Sequence, residues 1–204
     1  MAAARRPGPD PQVRRAVPVR CGSFGPLRRL CLSALLVVAC LAAPAMPSPA
    51  LAVEEGQLRA AVILAILRYT DWPPVALADR VGVCTLGAPP SESNLLAVSA
   101  KRELRGLPIV ASAIAARDLD AIERCNVVVL GPQLSGAAFA EGVDRARRSS
   151  ALTVCDDCGA GRGPLIRLVY EGSRVGFEVD LARARREEFA FGSAMLELAR
   201  EVYR

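Results

Sequence analysis

Histidine is missing from all 204 residues. Its absence removes Ser-His-Asp and Cys-His catalysis and the usual His-containing zinc sites. Lysine occurs once, at Lys101, among 26 basic residues, which reads as an arginine bias of composition and not as a functional signal. No internal repeat recurs, and no dinucleotide-binding fingerprint is present. The string Gly159-Ala160-Gly161-Arg162-Gly163 is the nearest approach to a phosphate loop. It runs into Pro164 and a strand instead of opening a helix whose amides hold an anion, so it reads as a flexible connector.

What is present begins with a leader. Arginines at positions 5, 6, 14, 15, 20, 28 and 29 precede an apolar run of about 14 residues, Leu30 to Ala43. Spanning a bilayer takes ~20 apolar residues, so the run is too short. Small residues and prolines follow and end in Ala50-Leu51-Ala52, the form that signal peptidase cuts. The expectation is a secretory signal peptide over 1–52 and an exported, periplasmic domain over 53–204. A competing reading makes Cys40, in Val37-Val38-Ala39-Cys40, the lipid-bearing residue of a lipoprotein.

Removing the leader changes the electrostatics. It carries seven Arg and one Asp, so the +5 charge of the whole chain becomes 19 basic against 20 acidic residues from Val53 onward. A basic chain invites a nucleic-acid or membrane-surface reading. Here the basicity belongs to the leader, and no nucleic acid is expected as a partner. The 152 residues that remain suffice for one domain with a proper core.

Cys21, Cys31 and Cys40 lie in the leader, leaving Cys84, Cys125, Cys155 and Cys158. An even count in an oxidising compartment reads as a disulfide framework, for which three pairings exist. Closing the shortest loops favours Cys155–Cys158 with Cys84–Cys125, although the spacing alone does not select them.

Helix and strand alternate along 53–204. Leu58, Ala61, Val62, Ala65, Ile66 and Tyr69 give residues 54–70 a helical stripe, with Glu54 and Glu55 at its positive N-terminal end. Trp72-Pro73-Pro74 stops that helix. Strands are expected at Val81–Leu86, Leu107–Ala111, Asn126–Leu130 and Leu152–Cys155. Helices are expected at Ser91–Ala100 behind a Ser cap, at Arg117–Glu123 and over 134–148. Leu165–Tyr170 and Arg174–Asp180 flank Glu171-Gly172-Ser173 as a hairpin, and a final helix is expected from Gly192 to Tyr203. The fold class is α/β: a single three-layer domain with a mostly parallel sheet and an antiparallel edge hairpin, Rossmann-like in layering only.

Few residues carry obvious chemistry. Asp156-Asp157 and Glu187-Glu188 read as solvated surface, since sequence neighbours rarely face one substrate. Arg145, Arg147 and Arg148, like Arg183, Arg185 and Arg186, read as helix faces. Cys155-Asp156-Asp157-Cys158 has the CxxC pattern of oxidoreductases. A reactive cysteine needs a helix N-terminus or positive charge nearby, whereas this one has aspartates between its sulfurs. The motif therefore reads as a structural or redox-sensitive clip. No catalytic residue, metal ligand or cofactor site is assigned.

Several stretches together resemble a known family. They are Leu58-Arg59-Ala60-Ala61-Val62-Ile63-Leu64, Tyr69-Thr70-Asp71-Trp72-Pro73, Arg105-Gly106-Leu107-Pro108-Ile109 and Cys125-Asn126-Val127-Val128-Val129-Leu130. Leu152-Thr153-Val154, Val175-Gly176-Phe177-Glu178-Val179-Asp180-Leu181 and Met195-Leu196-Glu197-Leu198-Ala199 follow in the same order. This order looks like the YfiR family of small periplasmic proteins. The resemblance implies a non-catalytic regulator that binds the periplasmic region of a membrane-bound diguanylate cyclase and lowers cyclic di-GMP output, with redox gating through disulfides. A related sensor kinase and a homodimer are the other partner classes. It also implies a cross-domain disulfide matched by Cys84–Cys125 and a short-loop one matched by Cys155–Cys158, here in a tighter ring. Two rival functions stand beside it: a free-standing periplasmic small-ligand-binding protein and, more distantly, a thiol oxidoreductase.

Overall fold

Strands β2 (Val81–Leu86), β5 (Val127–Leu130) and β6 (Leu152–Asp156) are buried at every position. Near-continuous apolar runs of this kind are read on both faces, so both faces need cover. The computed structural model describes residues 50–204 apart from 75, 76, 78, 100 and 159–162, and for 50–54 the backbone alone. The expected leader with Cys40, and most of the expected glycine connector, lie outside those residues.

An eight-stranded sheet runs in the order β10-β8-β7-β6-β5-β2-β4-β3. Its parallel centre joins β4 (Leu107–Ile114), β2, β5, β6 and β7 (Ile166–Glu171), as the α/β reading requires. Strands β7 and β8 (Arg174–Asp180) form the expected antiparallel hairpin, with Gly172 at φ 63° in its turn. That hairpin is not the outermost pair. The segment expected to be one long terminal helix is a short helix α5 (Ser193–Leu198) followed by β10 (Glu201–Tyr203), which lies parallel to β8. At the other edge β3 (Glu103–Leu104) pairs antiparallel with β4 across Arg105 and Gly106, both at positive φ (54° and 79°). Two successive positive φ values are what a tight type I′ hairpin demands.

One face of the sheet packs against α1 (Ala50–Arg68) and α2 (Glu92–Val98), with Ile63, Leu67, Val83, Val129, Val154 and Ile166 at the centre of that core. The opposite face packs against α3 (Gly136–Arg148) and the 3-10 turn Leu119–Arg124, around Leu86, Ile122, Val128, Leu130 and Ala146. Ser135 caps α3, its hydroxyl accepting from the Ala138 amide at 3.3 Å. Helix α4 (Leu181–Arg186) follows β8 directly and is capped by Asp180, whose carboxylate accepts from the Arg183 amide at 2.8 Å. The arginine clusters occupy the last turns of α3 and α4, where cations meet the negative end of the helix dipole. A separate two-stranded pairing of β1 (Thr70–Asp71) with β9 (Ala190–Phe191) closes the end of the α1 core.

Helix α1 corrects the expected stripe. Leu58, Ala61, Ala65 and Tyr69 are exposed, whereas Arg59, Ala60, Ile63, Leu64, Ile66 and Leu67 are buried. The helix is apolar most of the way round, so two stripes compete, and packing selects the one holding Ile63 and Leu67. In the uncut chain α1 begins at Ala50, so Glu55 lies beyond its first turn. It reaches instead to Arg59, one turn further along.

Candidate functional site

Successive residues of a strand point to opposite faces, and at the carboxyl end of β6 this alternation separates two kinds of chemistry. Leu152, Val154 and Asp156 face α1, while Cys155 faces the other side. Asp156, expected on the solvated surface, is fully buried. Its carboxylate accepts from the Arg59 guanidinium at 2.7 Å and from the Ser91 backbone amide at 2.9 Å. Arg59 also donates to Glu55 at 2.8 Å and lies 5.1 Å from the Tyr170 ring centre, in cation-π geometry. Burial by itself would lower the Arg59 pKa, but the hydrogen bonds and charges of Asp156 and Glu55 outweigh it and hold the value above the ordinary one. A buried carboxylate is thus satisfied by a charge and an amide, as burial requires.

Ser91 departs from its expected role. It stands at the N-cap of α2, but its hydroxyl makes no capping bond and is buried without a partner among the described residues. Its backbone amide is the group in use. Gly131, just after β5, brings this end of the sheet together: a Cβ there would sit 2.3 Å from the Pro89 nitrogen, so only glycine lets the two loops approach.

On the other face the four predicted cysteines fall into two pairs at bonding distance. Cys84, in β2, meets Cys125, just before β5, with Cα atoms 5.8 Å apart in the core beneath α3. Cys155, at the end of β6, meets Cys158 with Cα atoms 5.4 Å apart. The two pairs lie on the same side of the sheet but in different settings. Cys84 and Cys125 are both buried. Cys155 is buried and Cys158 is half-exposed. Between them Asp157 is exposed and turns the chain at φ 66°.

The setting of Cys155 also corrects the electrostatic expectation for the CxxC segment. Asp156 points away from it and is neutralised by Arg59. The groups that do face Cys155 Sγ are donors: the Cys158 amide at 3.3 Å and Nη1 of Arg167 at 3.5 Å. Arg167 stands opposite Cys155 in the β6–β7 register, and its Nε lies 3.9 Å from Glu178.

Beyond β6 this face changes character. Strand β7 alternates Ile166, Leu168 inward with Arg167, Val169 outward, and β8 alternates Phe177, Val179 inward with Glu178, Asp180 outward. A cavity of about 670 Å³ opens on this side, where Cys155, Cys158, Arg167, Glu178, Asp180 and Tyr203 stand beside apolar groups such as Pro164 and Val169. The Tyr203 hydroxyl lies 3.0 Å from Glu201 and 3.3 Å from Glu178, and those carboxylates keep its proton bound to higher pH than usual.

Arg59 and Arg167 were not singled out by the sequence reading. Arg59 carried a usable signal: an arginine between Gly56, Ala60 and Ile63 on an apolar helix needs a buried anion. Arg167 had none, since an arginine on an alternating strand ordinarily faces water. Trp72 packs edge-on against Phe189 with ring centres 5.9 Å apart, on the core side of the molecule. Of the C-terminal helix, Met195 is buried and Leu198 is 76% exposed.

Fold and site together define a small three-layer α/β domain with two cysteine pairs and a cavity of mixed polar and apolar lining at the carboxyl end of a central strand. The family model described as YfiR/HmsC-like matches residues 56–200, and the chain belongs to that family. Among solved structures, it is similar to a conserved domain protein from Vibrio cholerae O1 biovar El Tor, at 14% identity and TM-score 0.48, over 72% of this chain and 60% of that one. It is similar also to an ABC domain in complex with L-Trp from Streptococcus pneumonia, at 11% identity and TM-score 0.48, over 72% of this chain and 61% of that one. The chain therefore spans about 60% of the length of these structures. No curated protein matches it.

Proposed function

We propose that this protein is a non-catalytic periplasmic regulator, exported by a signal peptide over 1–52, whose domain over 53–204 binds the periplasmic sensor region of an inner-membrane diguanylate cyclase and represses it. Membership of the YfiR/HmsC-like family carries this reading. The two cysteine pairs, taken as disulfides, support a redox gate: the buried Cys84–Cys125 bridge as structure and the half-exposed Cys155–Cys158 clip as the sensor. A repressor of this kind must bind the inactive state of its partner more tightly than the active state.

The test is a titration of the oxidised, exported protein against the periplasmic region of the diguanylate cyclase encoded nearest to it. Saturable binding that weakens on reduction is the expected result. Absence of binding in both redox states would remove the cyclase as partner. The cavity beside the clip favours one second reading, a small-ligand-binding protein, which predicts a ligand-dependent rise in melting temperature without any cyclase present.

A further inference from the structure

We infer that the Cys155–Cys158 clip is directional: a small thiolate entering the adjoining cavity attacks Cys158, and Cys155 leaves. The inference deepens the redox-gate reading and rests on the pairing of these two cysteines, but not on the identity of the protein partner.

Three observations carry it. The first is access. Both cysteines border the 670 Å³ cavity, but Cys155 is 1% exposed within β6 while Cys158 is half-exposed. The second is stabilisation of the leaving group. In thiol–disulfide exchange the sulfur that departs takes up negative charge, and the better-stabilised thiolate leaves faster. The Cys158 amide and Arg167 both point at Cys155 Sγ, at 3.3 and 3.5 Å. The Arg167 fork is shared, its Nε facing Glu178 and its Nη1 facing the sulfur, so the positive end of that pair lies against Cys155. The third is the charge of the cavity wall. Among the described residues Asp157, Glu178 and Asp180 line it with Arg167, and Arg183 lies 3.8 Å from Asp180, so carboxylates outnumber guanidiniums and a cationic or uncharged thiol is favoured over an anionic one.

The step balances without a further reagent. An electron pair of the incoming thiolate forms a new bond to Cys158 Sγ. The electron pair of the Cys155–Cys158 bond departs with Cys155 Sγ, which becomes the thiolate held by Arg167 and the amide. A second thiolate can then release Cys158, or Cys155 can return and expel the first.

The test begins with the oxidised exported protein, alkylated and weighed intact. Free thiols among the four cysteines at this stage would count against the pairing itself and hence against the redox gate. With the pairing established, the protein is exposed to limiting cysteamine, quenched in acid, alkylated and mapped by fragment mass spectrometry. The expected product carries cysteamine on Cys158 and the alkyl group on Cys155. An adduct on Cys155 in equal or greater amount overturns direction. Arg167→Gln is expected to slow clip opening about tenfold while leaving the rate at Cys84–Cys125 unchanged, and Arg167→Lys to recover part of the loss. Opening that is as fast as in the parent also overturns the proposal. Rates normalised for thiolate content should favour cysteamine over mercaptoacetate more than they do with a small linear disulfide; no added preference sinks the assignment of thiol class.

Discussion

Arg59 and Asp156 are unequal partners, and the inequality predicts how each responds to substitution. Asp156 has one charged neighbour, whereas Arg59 keeps Glu55 if Asp156 is lost. Arg59→Met strands a fully buried carboxylate and should cost about 3 to 5 kcal/mol in urea unfolding. Asp156→Asn should cost less, and the double change Arg59→Met with Asp156→Leu should recover much of the loss. Glu187 offers a pH test. Burial raises its pKa more than Arg183, Arg147 and Arg186 lower it. A carboxyl whose folded pKa is raised stabilises the fold at low pH, and that contribution is lost as pH rises through the folded value. Glu187→Gln should therefore melt at a higher temperature than the parent at pH ~7, with the gap closing below the ordinary Glu pKa of about 4.3. A thermal melt at the two pH values checks the sign. At this scale the sequence was least legible. Asp156 and Asp157 are neighbours of the same type, and only the pleat of β6 buries one and exposes the other.

Among the elements, β10 has the most to lose. Among the described residues it is the only neighbour of β8 on that side, and Arg200, leading into it, donates its amide to the Phe177 carbonyl at 2.8 Å. Truncation after Ala199 removes it and leaves the β8 edge with unpaired backbone groups. Loss on the order of 3 kcal/mol is expected from the missing ladder and its flanking bonds. Self-association should appear alongside, read by light scattering. An unchanged melt and a monodisperse product would show β10 to be dispensable. The strands β2, β5, β6 and β8 were legible because their apolar runs or alternations have one reading. Two elements were less so. Helix α1 is apolar nearly all round, which left its buried face undetermined. The terminal stretch Ser193 to Tyr203 carries helix-compatible residues throughout, and only pairing with β8 turns its last three residues into a strand.

Across the whole molecule the two cysteine pairs, taken as disulfides, would divide the work of covalent closure. A bridge across a sequence separation of 41 removes roughly 4 kcal/mol of loop entropy from the unfolded chain, while the clip at a separation of 3 formally gives about 2. Stepwise reduction should open Cys155–Cys158 first with little loss of structure, and Cys84–Cys125 later with unfolding. Replacing both Cys84 and Cys125 by alanine should lower stability by about 4 kcal/mol, whereas the same change at the clip should cost far less. Circular dichroism followed through the reduction distinguishes the two stages. The global architecture and the cysteine census were legible because they follow from spacing and count. The cavity was not, because it gathers residues of β6, β7, β8 and β10, a fact of three-dimensional assembly. The anchoring of Asp156 has one more effect. Asp156 is the second of the four residues in the ring of the clip and is fastened to Arg59 and Ser91, so rearrangement of that ring is confined to Asp157 and Cys158 while the interior is shielded from it. Rearrangement of the clip and folding of the core are thereby insulated as modules, and an evolving lineage can retune the loop after Asp156 without having to repack the core.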